Sequence, residues 1–195
     1  MTVSTRSPGY GRGHDALIRA TVTVVARRGL RGTTFRAVAD EAGVRNTLIT
    51  YHFGTREQML REAVRWAVAE SIGRSLPLTR QDIDHDFARA MTELVRTDPD
   101  LQTFHYEILI ESRRNPALRE LAQLLVDDYL EGLERILRQR GHRHPKRLAR
   151  LAHATIDGLV FQQLTTPAAD GLEPALEQFI EMLNADLRNN ALQER

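Results

Sequence analysis

The sequence contains no cysteine among its 195 residues, which excludes disulfide bonds, thiolate metal sites and a cysteine nucleophile. It has only 12 glycines and 7 prolines, too few for a disordered chain. No apolar stretch approaches the roughly 18 residues of a membrane-spanning helix, and the N-terminus lacks the apolar run of a signal peptide. We therefore expect a packed, soluble, cytoplasmic protein that has no membrane partner.

Lysine is almost absent as well, since Lys146 is the single lysine among 27 basic residues. The net charge is only +1, but residues 1–66 carry a net charge of +6 and the remainder carries −5. A basic N-terminal third on an acidic body is typical of a DNA-binding domain, although such asymmetry also arises by chance. The abundant arginine favours bidentate contacts with phosphate and guanine, and it is equally expected from the coding bias of a GC-rich genome.

Residues 33–60 predict two short helices joined by a glycine turn and followed by a third helix. Val38, Ala39 and Ala42 recur at helical spacing, and Thr34 is a suitable N-cap for this first helix. Gly43 supplies the left-handed conformation that ends a helix. This order of helix, glycine turn and helix is the pattern of the helix-turn-helix, whose second helix lies in the major groove of DNA.

The remaining segments also predict helices, and nothing suggests a strand longer than four residues. Residues 55–58, Thr-Arg-Glu-Gln, have the form of a capping box at the start of a helix. The fold class is therefore all-α, with about nine helices. They are predicted over about 15–28, 34–42, 45–53, 55–74, 80–97, 100–114, 116–140, 145–165 and 172–189.

Residues 14–65 resemble the tetracycline-repressor (TetR) family of bacterial regulators. The matching features are Thr33-Thr34, Ala39, Ala42-Gly43-Val44, Tyr51-His52-Phe53, Arg56-Glu57 and Met59-Leu60. The resemblance implies a three-helix DNA-binding domain over 14–60 and a helical effector-binding and dimerisation domain over 61–195, preceded by a flexible basic arm over 1–13. Arg45, Thr47 and Thr50 depart from the family's usual pattern, at positions expected to vary with the DNA sequence that is bound.

The resemblance implies a sequence-specific transcriptional regulator with three partners. These are a palindromic double-stranded DNA operator, a second copy of the chain and an unknown small-molecule effector. It favours a repressor over an activator. No cofactor and no metal are expected.

The side chains of the second helix of the helix-turn-helix, predicted over about 45–53, indicate which groups of DNA they bind. Ile49 and Phe53 lie one turn apart on its buried face, whereas Thr47 and Tyr51 face outward. Arg45 and Asn46, at the N-terminal end, suit guanine and adenine, and Thr47 or Leu48 suits a thymine methyl group. The full set of expected DNA-binding residues is Thr34, Arg36, Arg45, Asn46, Thr47, Leu48, Thr50, Tyr51, His52 and Arg56.

Four members of this set are predicted to bind phosphate: Thr34, Tyr51, His52 and Arg56. Thr34 and Arg56 lie at helix N-termini, where the backbone N–H groups and the helix dipole favour an anion. The alternatives are a hydrogen bond to the adjacent helix for His52 and half-buried packing for Tyr51.

The last two predicted helices carry apolar stripes. Combined with the resemblance, they predict a two-fold homodimer through helices 8 and 9. The alternative is that both stripes face their own core. The expected interface residues are Leu151, Thr155, Gly158 and Leu159 on helix 8, and Leu172, Leu176, Phe179, Ile180 and Leu183 on helix 9.

The resemblance also implies an effector pocket in the C-terminal domain, for which an apolar or aromatic ligand is expected. An aromatic-rich set with a few polar groups is available to line it. Such residues are also typical of an ordinary core. The candidates are Trp66, Phe87, Met91, Phe104, His105, Tyr106, Tyr129, Phe161 and Gln162.

The sequence leaves two other classes of function to consider. An enzyme or metal site would draw on Asp127, Glu131 and Glu134, or on the two histidines of residues 141–144, but solvated side chains are the simpler interpretation of both. The sequence has no G-x-S-x-G, P-loop or H-E-x-x-H motif, so we expect no enzyme. The other alternative is a ligand-binding or interaction module whose helix-turn-helix no longer binds DNA.

Overall fold

A computed structural model describes residues 8–75, 85–166 and 171–193 of the chain. All regular structure within these ranges is helical, which confirms the all-α fold class. One 3-10 turn, Pro116–Leu118, precedes α7. The nine α-helices of the described residues are α1 (Pro8–Gly32), α2 (Phe35–Glu41), α3 (Asn46–Phe53), α4 (Arg56–Ser75), α5 (His85–Thr97), α6 (Pro99–Arg114), α7 (Arg119–Gln139), α8 (Pro145–Thr165) and α9 (Leu172–Gln193).

The first helix is longer than the sequence predicted. It begins at Pro8 instead of residue 15, so residues 8–13 are helical and do not belong to the flexible arm expected over 1–13. Residues 1–7 of that arm lie outside the described residues. Near its other end Gly29 has non-helical angles, φ +67° and ψ 170°, which kink the helix where the sequence predicted its end.

Local hydrogen bonds explain why the short helices begin where they do. The Thr34 Oγ1 atom accepts from the Ala37 N–H at 3.1 Å, which confirms Thr34 as the N-cap of α2. Thr55 Oγ1 accepts from the Gln58 N–H at the same distance. The Gln58 side chain instead donates to Glu62 at 2.7 Å, so only half of the predicted capping box is formed.

The described residues form two compact units. The first contains the residues up to Ala67 together with Thr103–Ala122, and the second contains Val68–Gln102 and the residues from Gln123 onward. A single domain boundary between residues 60 and 61 was expected. The first unit extends along α4 to Ala67 and also contains α6 from Thr103 onward and the start of α7 up to Ala122.

The first unit has an apolar core formed by α1 to α4. Trp66 packs against this core, and the Arg19 guanidinium carbon lies 4.8 Å from the centre of its ring. The position of α3 follows from this packing, because its apolar face completes the cluster. The buried core residues are Leu17, Ile18, Ala20, Val24, Ala37, Val38, Ala39, Ile49, Phe53 and Met59.

In the second unit, α5 and α8 both pack on α9. The buried side chains of α9 repeat at helical spacing and supply one wall of this core. No helix in the described ranges is long and apolar enough to cross a membrane.

Candidate DNA-binding surface

The turn between α2 and α3 is held by the backbone. Gly43 has φ +66°, a conformation that other L-residues rarely adopt, and its N–H donates to the Asp40 carbonyl at 3.2 Å. The Val44 N–H then donates to the Ala39 carbonyl at 3.0 Å. These bonds close the turn between α2 and α3. Arg45 follows in an extended conformation and caps α3 without a side-chain hydrogen bond.

The two faces of α3 differ sharply in exposure. Ile49 and Phe53 are buried in the core, as predicted, and they anchor the helix to α1 and α2. Tyr51 is 71% exposed, so half-buried packing does not describe this residue. The other polar members of the outer face, Arg45, Asn46, Thr47 and Thr50, are also exposed. The helix therefore presents polar side chains outward from a rigid apolar base.

Leu48 has a different environment from its polar neighbours. It is half-buried and packs against the core, which reduces the surface it offers to a base. It also lines a shallow concavity of about 580 Å³ together with Gly43, Val44, Arg45, Thr47 and Tyr51. Of the two predicted partners for a thymine methyl group, Thr47 is thus the more exposed one.

His52, on α3, is half-buried and its ring lies near His14 of α1. Its ring lies 5.5 Å from the ring of His14, centre to centre, and the His14 Nε2 atom lies 2.7 Å from the Glu62 carboxylate. Burial lowers the pKa of His52, the neighbouring His14 lowers it further, and Glu62 raises it. In the protein without DNA these surroundings therefore favour the uncharged imidazole of His52.

Arg56 has partners that the sequence did not indicate. Its Nε donates to the Thr33 carbonyl at 3.0 Å, and its Nη2 donates to the Leu30 carbonyl at 2.5 Å. The guanidinium thus binds backbone carbonyls where α1 ends and α2 begins. Arg56 therefore holds the start of the helix-turn-helix in place, and its predicted phosphate contact would have to use the remaining N–H groups.

Two further members of the predicted DNA-binding set are exposed residues of α2 or its cap. Arg36 lies on the first turn of α2, with its Nε 3.9 Å from Asp40. Thr34 is exposed, and its oxygen already accepts from Ala37. Seven of the ten predicted residues are thus exposed on α2, α3 or their N-caps, whereas Leu48 and His52 are half-buried and Arg56 lies on α4.

The residues expected to line an effector pocket belong to two different units. Trp66, Phe104, His105 and Tyr106 are in the first unit. Phe87, Met91, Tyr129, Phe161 and Gln162 are in the second unit. The expectation is corrected for three of these residues. Trp66 packs on the core of the first unit, and Phe161 and Gln162 are exposed.

A polar cluster inside the second unit surrounds Tyr129. The Gln102 amide donates to the Ser71 hydroxyl at 3.4 Å, and the rings of Tyr129 and His153 lie 5.6 Å apart. Burial raises the pKa of Tyr129, a hydrogen bond with Ser71 lowers it, and Asp157 raises it. Of this cluster only Tyr129 is a candidate from the sequence, because the other residues lie on α4, α6 and α8 and share no local pattern.

The predicted dimer stripe on α9 faces the interior of its own chain. Leu172, Leu176, Phe179, Ile180 and Leu183 are all buried against neighbouring helices, so the alternative interpretation holds for them. On α8, Leu151 and Gly158 are exposed, whereas Thr155 and Leu159 are half-buried. The prediction is therefore corrected for α9 and kept for the outer face of α8.

The candidate metal or catalytic residues of α7 and of residues 141–144 differ in exposure. Asp127 and Glu131 are exposed, and Glu134 pairs with Arg138 one turn along α7. His142 was expected to be exposed but is buried, and His144 is exposed. Within the described part of the chain, no three histidine, aspartate or glutamate side chains are grouped closely enough to hold a metal ion.

The fold and the outer face of α3 define a helix-turn-helix regulator. Residues 17–63 match the family described as bacterial regulatory proteins, tetR family. Residues 83–185 match the domain described as tetracyclin repressor-like, C-terminal domain. The chain belongs to the TetR family of transcriptional regulators.

Individual relatives agree with this assignment. The chain is 41% identical over 51 residues to the transcriptional repressor KstR2 of Mycolicibacterium smegmatis, a match that covers 26% of this chain and only 25% of that protein. A TetR-family structure from Streptomyces coelicolor A3 is 28% identical with a TM-score of 0.68, covering 88% of this chain and 97% of that one. The multidrug-binding protein EbrR in complex with ethidium is 29% identical with a TM-score of 0.63, covering 88% and 98%.

Proposed function

We propose that this chain is a repressor that binds a palindromic operator as a homodimer and is released or recruited by a small-molecule effector. The observation that carries this proposal is the outer face of α3. Four polar residues and Tyr51 are exposed there, on a helix whose opposite side is fixed by Ile49 and Phe53. Exposed donors on a rigid helix are the arrangement that reads base edges in the major groove.

Recognition is divided between base and phosphate contacts. Arg45 and Asn46, at the exposed N-terminal end of α3, are proposed to read guanine and adenine. Thr34, Arg36, Tyr51 and the remaining N–H groups of Arg56 are proposed to bind phosphates and to fix the register of the helix. The net charge of +6 on residues 1–66 supports attraction to the DNA backbone.

Homodimerisation is proposed through the outer faces of α8 and α9. Five large hydrophobic side chains are exposed in the described ranges, and three of them, Leu151, Phe161 and Met182, lie on these two helices. Leu151, Gly158 and Phe161 follow helical spacing on α8, and Met182 is exposed on α9. Exposed apolar side chains on helix faces are typical of the surfaces that two-fold dimers bury.

The effector is proposed to bind the second unit. The support is the cluster of Tyr129, Ser71, His153 and Asp157, which combines aromatic surface with buried polar groups as small-molecule sites do. The likeness to EbrR, which is seen with ethidium, supports an aromatic ligand. Regulation requires only that the effector favour one spacing of the two DNA-binding domains over the other.

We propose that the protein acts in the cytoplasm and has no catalytic activity. A regulator must reach DNA, and the family to which the chain belongs is a regulator family. The competing proposal, a ligand-binding or interaction module with a non-functional helix-turn-helix, is supported only by the departures at Arg45, Thr47 and Thr50.

The test is selection of binding sites by the purified full chain from a random duplex pool at two salt concentrations. Enrichment of a palindrome with half-sites about one helical turn or more apart is the expected result. The selection is repeated with a chain carrying Asn46→Ala and Tyr51→Ala, which should enrich nothing. If the unmodified chain also enriches nothing at either salt, with and without an effector library, the operator-binding proposal is overturned.

A further inference from the structure

The first unit contains a second concavity, which includes the predicted phosphate contacts Thr34 and Arg56 and extends beyond them to α6. It has a volume of about 770 Å³ and is formed by the end of α1, the start of α2, the start of α4, the end of α6 and the turn after it. We call it the arginine cavity. Its lining residues are Leu30, Arg31, Thr33, Thr34, Phe35, Arg56, Glu111, Arg114, Asn115 and Leu118.

The charge of this lining is positive. The lining contains three guanidinium groups, those of Arg31, Arg56 and Arg114, and one carboxylate, that of Glu111. Glu111 lies between two of them, with one oxygen 3.6 Å from Arg31 Nε and the other 3.6 Å from Arg114 Nη1. Both distances exceed a hydrogen bond, so the N–H groups of these arginines stay available to a ligand.

The uncharged polar groups of the lining also have spare donors. Thr34 uses its oxygen to accept from Ala37, which leaves its O–H to donate. Asn115 uses its Oδ1 to accept from the Ala117 N–H at 3.1 Å, which leaves its amide N–H groups. Among the described residues, neither the Thr34 O–H nor the Asn115 amide N–H groups donate to another protein group. A cavity that offers several donors and a net positive charge is complementary to an oxyanion.

We propose that the arginine cavity binds a phosphate group through Arg31, Arg114, Thr34 and Asn115. Two sources share this chemistry. If the phosphate belongs to the operator backbone, α6 adds a contact outside the helix-turn-helix, and that arm of the proposal rests on the proposed DNA binding. If the phosphate is free or part of a small molecule, the cavity is a second ligand site, distinct from the Tyr129 cluster.

The test uses the full chain and two variants. Arg114→Ala removes a guanidinium from the lining. Asn115→Asp keeps the oxygen that caps Ala117 but replaces the amide donor by a carboxylate, so folding is preserved while an anion is repelled. Arg113→Ala is the matched control, because Arg113 is an exposed neighbour of the same charge that does not line the cavity.

Binding of inorganic phosphate is measured by titration calorimetry at constant ionic strength. For a free phosphate site, Arg114→Ala and Asn115→Asp should each weaken binding by about tenfold, as expected for one charge-assisted hydrogen bond, and Arg113→Ala should not. For a backbone phosphate, Arg114→Ala should reduce the slope of log K against log[salt] for duplex DNA by about one, and the control should not.

Either pattern supports the cavity as a phosphate site and identifies its source. If Arg114→Ala and Asn115→Asp match the Arg113→Ala control in both measurements, the proposal is overturned. If the chain binds no DNA at all, only the proposed function is refuted. The titration with inorganic phosphate still shows whether the arginine cavity binds phosphate.

Discussion

The Arg56 Nε donates a hydrogen bond to the Thr33 carbonyl at 3.0 Å, which joins the first residue of α4 to the residue before the α2 cap. The same guanidinium also binds the Leu30 carbonyl. A side chain predicted from its position to contact phosphate thus has a second role inside the protein. The helix-turn-helix begins at a junction that a residue 23 positions away holds in place.

Replacing Arg56 should therefore affect both folding and DNA binding. Arg56→Ala removes two hydrogen bonds from a charged donor, and we expect the free energy of unfolding to fall by about 1.5–3 kcal/mol. It should also reduce the salt slope of DNA binding by about one if the remaining N–H groups contact phosphate. Urea titration and fluorescence anisotropy measure the two effects. Arg65→Ala, an exposed arginine on the same helix, should leave the stability unchanged, and an Arg56→Ala chain as stable as this control would contradict the structural role.

Arg45 is predicted to determine one position of the operator. Because it is exposed at the N-terminal end of α3 and has no side-chain capping bond, its guanidinium is available for a bidentate contact with guanine. Arg45→Ala should reduce the binding free energy that discriminates one base pair of the operator by about 1–3 kcal/mol, and it should relax the base preference at that position. Binding-site selection with the variant and with Arg89→Ala, an exposed arginine of α5, is the measurement. Identical selected sequences for the variant, the control and the unmodified chain would rule out this role.

Ile49 is predicted to be essential for the stability of the first unit. Its side chain is fully buried, and the cavity left by Ile49→Ala should lower the free energy of unfolding by about 2–5 kcal/mol. Thr50 is the exposed neighbour, and Thr50→Ala should change the free energy of unfolding by no more than about 0.5 kcal/mol. Denaturant titration monitored by circular dichroism compares them. Equal midpoints for the two variants would mean that α3 is not anchored by this face.

Stability is predicted to depend on the protonation of His153. Burial lowers its pKa below the ordinary value of 6.5, Asp157 opposes this shift and Arg150 adds to it. Below pH 6.5 the unfolded chain takes up the proton first, so the free energy of unfolding should decrease as the pH falls and be constant above that value. His153→Gln should flatten this dependence, measured by thermal unfolding between pH 5 and 8, whereas His144→Gln, at an exposed site, should retain it. An unchanged dependence in His153→Gln would exclude the effect.

The dimer is predicted to depend on the exposed apolar residues of α8 and α9. Leu151 is 57% exposed and Met182 is 64% exposed, so a glutamate at either position should not disturb the core of the chain. Leu151→Glu and Met182→Glu should give monomers in sedimentation velocity and weaken operator binding. Ile110→Glu, on the exposed side of α6, is the control and should remain dimeric. Dimers in all three variants would place the interface elsewhere.

The sequence by itself determined the helix-turn-helix, because the interactions that form it are local. The Thr34 cap, the Gly43 turn and the spacing of Ile49 and Phe53 each involve residues within about four positions of one another, and periodicity records such contacts directly. The outer face of α3 followed from the same spacing. The helix bounds were also close to those observed, apart from the earlier start of α1.

Only the tertiary structure decided which surfaces are buried and which distant groups meet. The α9 stripe faces its own core because α5 and α8 cover it, and the amphipathic pattern is the same for a core and for an interface. The partners of Arg56, the packing of Trp66 and the donors around the arginine cavity come from segments far apart in the chain. Burial and charge complementarity are properties of neighbours in space, and a local pattern contains no record of those neighbours.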